Sequence, residues 1–392
     1  MNKTKEFPYS RQYVDKKDIN SVVGVLTSKY LTKGDKTIEF EKKCKNFVGA
    51  KYAAGIINAS SALILCCKAF DLKKNDIVWT TANTYIASIT CALHCGAKID
   101  LVDINENDYN LDTNLLEKKL KVSKKKNKLP KVLIVVHLAG YSCDMEKIKS
   151  LSKKYKFKII EDASHAFGAK YKNFKVGSCR YSDMTVFSFH PVKVITSAEG
   201  GMITTNNRKL YEKIISIREN GKIFSKKNFL SKIDPNFYDI SDLGYNFRIN
   251  EINSSLGISQ IKKTNLFIKE KKIIADKYFK KLDKKLFILP KYLSNRSNSW
   301  HLFIIRLNPT LKNITKKKII NFLKKKKIFV NTHYIPLNCF NFLRSKLTNK
   351  TFKYAENYYK SAISIPIYPK MSKNDQNYVI KILNNLIKLR KF

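Results

Sequence analysis

The chain has 392 residues, 44% of them apolar, which is enough to bury the core of a large domain and a smaller one. Its formal net charge of +45 would suit a nucleic acid or an anionic membrane surface. The lysines are spread along the whole chain with no nucleic-acid-binding motif beside them, so a bias toward Lys, Asn and Ile accounts for the charge and a nucleic-acid partner is set aside.

The eight cysteines form no CxxC pair, which argues against a zinc ribbon and a redox dithiol. The amino-terminal MNKTKEFPYS has no apolar leader segment, and no run approaches the ~20 apolar residues of a membrane span. The protein is therefore expected in the cytoplasm, with reduced thiols and no membrane contact.

After an extended piece containing Pro8, the spacing of Ile19, Val22, Val23 and Leu26 predicts an amphipathic helix over Asp15–Leu26. Leu31-Thr32-Lys33-Gly34 breaks that pattern as a loop. Ala53–Ile57 reads as a strand, followed by a helix start at Asn58-Ala59-Ser60-Ser61-Ala62-Leu63. Small residues and hydroxyls there suit either an ordinary cap or a phosphate seated on free backbone amides. Asp76–Thr81 is the next strand, and Asn83-Thr84-Tyr85 opens a helix that continues through the apolar stretch Ala87–Cys95. Cys91, His94 and Cys95 in that stretch read as helix residues, and no metal is expected.

Lys98–Val102 is a strand, Asn114–Leu120 a helix, and Lys121–Leu129 an exposed, charged connector. Lys131–Val136 is a buried strand ending at His137, which either lines a pocket or is a core histidine. Met145–Tyr155 is a helix with Ile148 and Leu151 inward. Strand alternating with helix at this spacing predicts an α/β fold with a largely parallel, doubly wound sheet.

The chemistry concentrates between Lys158 and Thr205. One strand ends on Glu161-Asp162, followed by Ala163-Ser164-His165; a second, Met184–Phe189, runs into His190-Pro191-Val192-Lys193; and a Gly200-Gly201 turn leads into a third, Met202–Thr205. Polar groups just beyond strand ends are what an open α/β sheet offers a ligand at its carboxyl edge. A lysine there, beside aromatic and uncharged neighbours, suits Schiff-base chemistry, because partial desolvation favours the neutral, nucleophilic amine.

Further on, Leu210–Arg218 is helical, and Asn220–Asp242 is a polar, aromatic-rich insertion expected to be a mobile loop. Gly244–Glu251, GYNFRINE, runs into another helix. Beyond Gln260 the composition shifts to a Lys-rich helix, Leu266–Leu282. A smaller α/β unit then follows: strand Trp300–Leu307, helix Lys316–Lys327, strand Ile328–Thr332 and a last helix, Gln376–Lys388. Two domains are expected, 1–260 and 261–392.

EDASHAFGA followed by SFHPVK and ITSAEGG resembles the DegT/DnrJ/EryC1/StrS family of nucleotide-sugar aminotransferases, and the likeness extends from about Phe7 to the last helix. It implies a fold-type-I transferase that uses pyridoxal 5′-phosphate. Lys193 matches the lysine that carries the cofactor and Asp162 the partner of its ring nitrogen. Tyr85 matches an aromatic stacked on the ring, His165 a residue flanking the ring and its oxygen, and Ser188 a phosphate ligand. Ser60 and Ser61 match the phosphate-binding hydroxyl position, although the glycine usual there is lost. PYSRQ with Tyr9, LTKG with Thr32 and Gly34, and His333-Tyr334 match segments near the substrate mouth; His137 and His190 are further candidates for that wall. GYNFRINE matches an element whose Asn, here Asn246, reaches the phosphate of a second subunit, which implies a homodimer with shared active sites. The FHPVK form is most similar to the branch that aminates C4 of a UDP-linked 4-keto-6-deoxy sugar for pseudaminic acid, with L-glutamate as donor. Sugars of viosamine, perosamine or legionaminic type stay open as alternatives, as does a non-catalytic relative.

Overall fold

The structure is a computed structural model that describes residues 5–223, 234, 236–309, 315–347 and 350–386. A seven-stranded sheet holds the centre, in the order Tyr52–Ile56, Gly201–Thr205, Met184–Ser188, Lys158–Asp162, Val132–Val136, Ile77–Thr81, Lys98–Val102. Only Gly201–Thr205 runs antiparallel to its neighbours. Val132–Val136, Met184–Ser188 and Gly201–Thr205 are buried along their whole length and the other strands over most of it, as a sheet covered on both faces requires. Six strands therefore end at one edge, at Ile56, Thr81, Val102, Val136, Asp162 and Ser188. Gly201 begins at that same edge, opposite both Ile56 and Ser188.

Helix α1 spans Lys16–Leu26 and begins in a capping box, in which Asp15 accepts from the amides of Lys17 and Asp18 while Asp18 accepts from the Asp15 amide. The expected apolar face is not the buried one. Asp18 and Val25 turn inward, while Ile19, Val23 and Leu26 stay 54%, 51% and 54% exposed. The physical reason is a buried polar network: Asp18 Oδ2 accepts from Lys263 Nζ at 2.7 Å and from Gln260 Nε2 at 2.8 Å, which fixes the roll of the helix.

Helix α2, Asp35–Val48, starts at Gly34 without a side-chain cap of its own. Glu251 supplies one from 215 residues away, accepting from the Lys36 amide at 2.7 Å, the Thr37 amide at 3.2 Å and the Thr37 hydroxyl at 2.5 Å. A Cβ on Gly34 would sit 2.8 Å from that carboxylate, so the glycine makes room for the cap. Because Glu251 is 2% exposed and holds three donors, Glu251→Ala is expected to cost about 2–3 kcal/mol. Urea denaturation of the two proteins is the check, and a loss under about 0.5 kcal/mol would contradict the capping role.

Helix α3 is Ala59–Ala69 and α4 is Ala87–Leu93. Helix α5 runs Thr113–Lys125, so the stretch expected as a connector is helical as far as Lys125. Asp112 caps it by accepting from the amides of Asn114 and Leu115, and Lys124 and Lys125 sit in its last turn, where cations are favoured. Helix α6 is Met145–Tyr155, as expected, and α7 is Arg208–Arg218. Residues 224–233 and 235 of the insertion 220–242 fall outside the described residues, and its two ends pair as short antiparallel strands, Lys222–Ile223 with Asp239–Ile240. Helix α8, Glu251–Ile261, and α9, Thr264–Lys281, then lead into a three-stranded antiparallel sheet, Phe287–Ile288, Phe303–Leu307 and Ala362–Ile365. Its apolar cluster draws on residues 274–386 and on Phe7, because Phe7–Pro8 pairs in parallel with Ile328–Phe329. The amino-terminal strand thus forms a separate two-stranded sheet with Ile328–Phe329, and Phe7 packs into the apolar cluster of the carboxyl-terminal residues. The last helix observed is Lys373–Asn384. Among the described residues, no helix is long and apolar enough to cross a membrane, and no cluster of three or more His, Cys, Asp or Glu could hold a metal.

Candidate active site

The carboxyl edge of the sheet opens into a cleft of about 830 Å³. Its wall gathers Tyr9, Ser60, Tyr85, Asp162, His165, Ser188, His190, Lys193, His333 and Tyr334 from segments scattered over the whole sequence.

Lys193 rides on the loop between Ser188 and Gly201, and that loop is pinned. Phe189 donates its amide to Gly200 O at 2.8 Å and takes the Ser197 amide at 2.9 Å and the Thr196 hydroxyl at 3.0 Å on its own carbonyl. Val194, Ile195, Thr196 and Ser197 are buried beneath it, and Ser10 Oγ holds Val192 O at 2.8 Å. Lys193 itself is half-buried. Burial pulls its ammonium down from 10.5 to about 8, against the pull of the Asp162 carboxylate in the other direction.

Asp162 ends its strand 5% exposed. Its Oδ2 accepts from Ser88 Oγ at 2.6 Å, and its Oδ1 accepts from the Ser164 hydroxyl at 2.6 Å and amide at 3.1 Å. Ser88 is braced in turn by Thr84 Oγ1 at 2.8 Å. Three donors orient the carboxylate, and its two oxygens retain lone pairs for a further partner in the cleft.

At the other end, Asn58 caps α3 by accepting from the Ser61 amide at 2.8 Å. The amides of Ala59 and Ser60, at the first turn, have no carbonyl within the helix to bind. A Cβ on Gly201 would come within 2.6 Å of the Asn58 carbonyl group and 2.9 Å of the Ala59 amide, so only glycine lets that strand lie against the helix start. Ser188 stands directly opposite Gly201. Helix amides, Ser60 and Ser188 thereby frame an anion seat in the same cleft that Asp162 and Lys193 line. The donor set fits a phosphorylated pyridine aldehyde: a carboxylate for a protonated ring nitrogen, an amine poised to be neutral, and amides with hydroxyls for a phosphate.

The histidines divide. His165, His301 and His333 are buried together, with His165 and His301 rings 4.2 Å apart and His165 and His333 rings 6.5 Å apart. Burial depresses all three, and the charge of Lys193 adds to it; His333 falls to about 3. His333 Nδ1 lies 2.8 Å from Ser364 Oγ. His137, a candidate for the cleft wall, is elsewhere. It is fully buried with Nε2 2.7 Å from Glu161 Oε2, and it accepts the Cys143 amide on Nδ1. Burial raises the Glu161 carboxyl, but hydrogen bonds from His137, Ser182 and Thr185 more than offset this and leave it below its ordinary range. That pair is a core polar network, not a pocket wall.

Ser61 is also buried and stands off the cleft, its amide used by the cap. Thr32, Gly34 and Asn246 do not line the cleft of their own chain. They gather on another face, where Glu219 pairs with Lys33 at 3.8 Å and Arg248 at 2.7 Å, bridges to Asn246, and the Glu251 amide reaches Leu31 O. Thr32 and Asn246 are exposed there, beside the exposed apolar side chains of Tyr30, Leu31 and Ile57.

Sequence reasoning missed Ser88, Asn331 and His301. Ser88 is one polar residue in an apolar helix, four after Thr84, a spacing that could have marked a braced pair. His301 carried no motif; the structure finds it 1% exposed in the cleft wall with Nδ1 lacking a partner among the described residues.

Comparison with known proteins adds four findings. The sequence pattern of the DegT/DnrJ/EryC1/StrS aminotransferase family matches residues 12–384. The UDP-4-amino-4,6-dideoxy-N-acetyl-beta-L-altrosamine transaminase of Campylobacter jejuni subsp. jejuni serotype O:23/36 is 36% identical over 381 residues, covering 97% of each chain. Helicobacter pylori PseC, an aminotransferase involved in the biosynthesis of pseudoaminic acid, superposes with a TM-score of 0.89 at 31% identity, covering 99% of this chain and 100% of the other. Spr1654 of Streptococcus pneumoniae, solved in a PLP form, superposes with a TM-score of 0.86 at 26% identity over 98% and 99% of the two chains.

Proposed function

Because the chain belongs to the DegT/DnrJ/EryC1/StrS aminotransferase family, we propose that it is a pyridoxal-phosphate-dependent transaminase that moves the amino group of L-glutamate to C4 of a UDP-linked 4-keto-6-deoxy-N-acetylhexosamine, a step toward pseudaminic acid. The support for the sugar is the 36% identity to the Campylobacter jejuni altrosamine transaminase together with the superposition on PseC. The support for the chemistry is one observation above the rest, Lys193 and a hydrogen-bonded Asp162 facing one cleft.

Pyridoxal phosphate bound there supplies the electron sink that a 1,3-proton shift requires. The residues around it have separate tasks. Asp162, its carboxylate fixed by Ser88 and Ser164, keeps a ring nitrogen protonated, since an opposite charge nearby favours the charged form. The Lys193 amine would take and return a proton at Nζ as general base and acid. Ser60, Ser188 and the first amides of α3 hold a phosphate, and the flanking aromatic side chains of Tyr9, Tyr85 and Tyr334 restrict water at the mouth. The face carrying Thr32 and Asn246, with its exposed Tyr30, Leu31 and Ile57, supports a homodimer in which those residues serve the second copy's cleft.

The visible absorbance of the purified protein is the test. The protein is expected to take up pyridoxal phosphate and turn yellow, to bleach on adding L-glutamate, and to yield a borohydride-trapped adduct on the peptide containing Lys193. A protein that takes up no pyridoxal phosphate when supplied with it would sink the reading.

A further inference from the structure

A hydrogen-bond chain runs along the cleft wall, and a backbone amide sets its direction. The Ala139 amide donates to His165 Nδ1 at 3.3 Å, and His165 Nε2 lies 3.0 Å from the Tyr334 hydroxyl. An amide N–H cannot accept, so Nδ1 carries no proton while that bond stands. Burial first, then the charge of Lys193 and the neighbouring His333, drives His165 well below the usual imidazole range, so the ring is neutral. A neutral ring without a proton on Nδ1 carries it on Nε2. His165 Nε2–H therefore donates to the Tyr334 oxygen, and the phenol proton is left to turn elsewhere. Tyr334 lines the cleft, and burial, with the Asp162 carboxylate adding to it, holds its hydroxyl protonated.

The backbone around Ala139 is shaped to deliver that amide. Ala139 is an alanine in the left-handed region, φ 59°, 3% exposed, and Gly140 follows at φ 95°. A side chain on Gly140 would strike Ser299 Oγ and come within 2.9 Å of the His165 carbonyl. Ser299 closes the ring, its hydroxyl donating to His165 O at 2.7 Å and its amide to Gly140 O at 3.0 Å. A left-handed alanine in a core persists only where its surroundings over-determine it, and such strain concentrates at functional sites.

We propose that Ala139, His165 and Tyr334 form a one-way donor chain that presents the Tyr334 hydroxyl proton to an acceptor oxygen, carbonyl or phenolic, of the molecule bound over Lys193. The proposal rests on the cleft being the transaminase site. His165 is then a positioning residue, acting through Tyr334, which makes the contact.

Neutron diffraction from crystals of the whole protein exchanged into deuterium oxide reads the direction itself. The expected result is deuterium on His165 Nε2, none on Nδ1, and the Tyr334 deuteron turned into the cleft. Deuterium on Nδ1 overturns the chain whatever reaction the protein catalyses. Steady-state kinetics then read its use. Tyr334→Phe is expected to lower kcat/KM for the nucleotide sugar about 10²-fold, with the absorbance of bound pyridoxal phosphate and the melting temperature at parental values. His165→Gln, which can still accept from Ala139 and donate to Tyr334, is expected to keep at least ten times the activity of His165→Leu. Parental kcat/KM in Tyr334→Phe, or equal activity in the two His165 variants, overturns the proposed use. A parent enzyme with no transaminase activity would refute the functional reading and the use together, and leave the deuterium positions to decide the geometry.

Discussion

Lys193→Ala is expected to lose transamination by ~10⁴-fold or more and yet, when both proteins are freed of pyridoxal phosphate, to melt no lower than the parent at neutral pH. The two halves share one cause. The folded protein drags the ammonium from 10.5 to about 8, chiefly by burial, so in the native state the charged form is disfavoured. Between pH 8 and 10.5 the unfolded chain holds a proton that the folded one has released, and stability contributed by this group rises with pH across that window. Below pH 8 both states are protonated and the full penalty of about 2–3 kcal/mol applies. Removing the amine removes the penalty, so the advantage of the alanine variant is largest below pH 8 and gone above 10.5. Thermal melts of both proteins at pH 7 and pH 10.5 check it. A variant less stable than its parent at pH 7 would show that Lys193 makes stabilising contacts that outweigh its desolvation. The same shift predicts that the parent's rate of capturing pyridoxal phosphate climbs with pH up to about 8 and then levels, because only the neutral amine attacks.

Asp162→Asn carries the second large effect, an expected fall of about 10²-fold in turnover with a change in the pH at which cofactor capture levels off. Asp162 is the one influence raising Lys193 against burial. With that charge gone, the half-maximal point of capture moves below about 8, toward more acidic pH. Stability also falls, by about 1–3 kcal/mol, because an amide cannot accept from Ser88 on one side and Ser164 on the other without turning an N–H toward one of them. Stopped-flow capture rates across pH 6–10 separate the two effects: a midpoint that stays in place or moves upward would mean that Asp162 exerts no field on Lys193.

How much of this was legible in the chain depends on how local the governing interaction is. Lys98–Val102 and Met145–Tyr155 have the bounds read from the sequence because an alternating pattern or a 3.6-residue stripe marks them. The roll of α1 was not legible. Ile19, Val23 and Leu26 obey helical spacing, but the deciding partners of Asp18 are Gln260 and Lys263, more than 240 residues away. Gly34 looked like a turn glycine or a mouth residue; its need for space comes from Glu251. His137 sits at a strand end just as pocket residues do, and only the parallel pairing of Val136 with Asp162 brings it beside Glu161 instead. The pairing of Lys193 with Asp162 was readable because two strand ends in one parallel sheet must face the same edge. Ser88, Ser299 and His301 were not, since each owes its role to a contact outside its own segment.

The carboxyl-terminal sheet meets the cleft twice. Its strand Phe303–Leu307 emerges from Ser299 and His301, and its strand Ala362–Ile365 grips the rim through Ser364, which exchanges hydrogen bonds with Asn331 and meets His333. A sheet tied to the wall at both points cannot swing away without breaking into the pocket itself. Anything lodged in the pocket therefore acts as a wedge in a hinge, and its binding free energy becomes part of what resists the departure of residues as distant as Tyr278, anchored on Pro366 O at 2.7 Å. In this fold the occupant of the cleft is also a fastener for the parts of the carboxyl-terminal unit that lie beyond its wall.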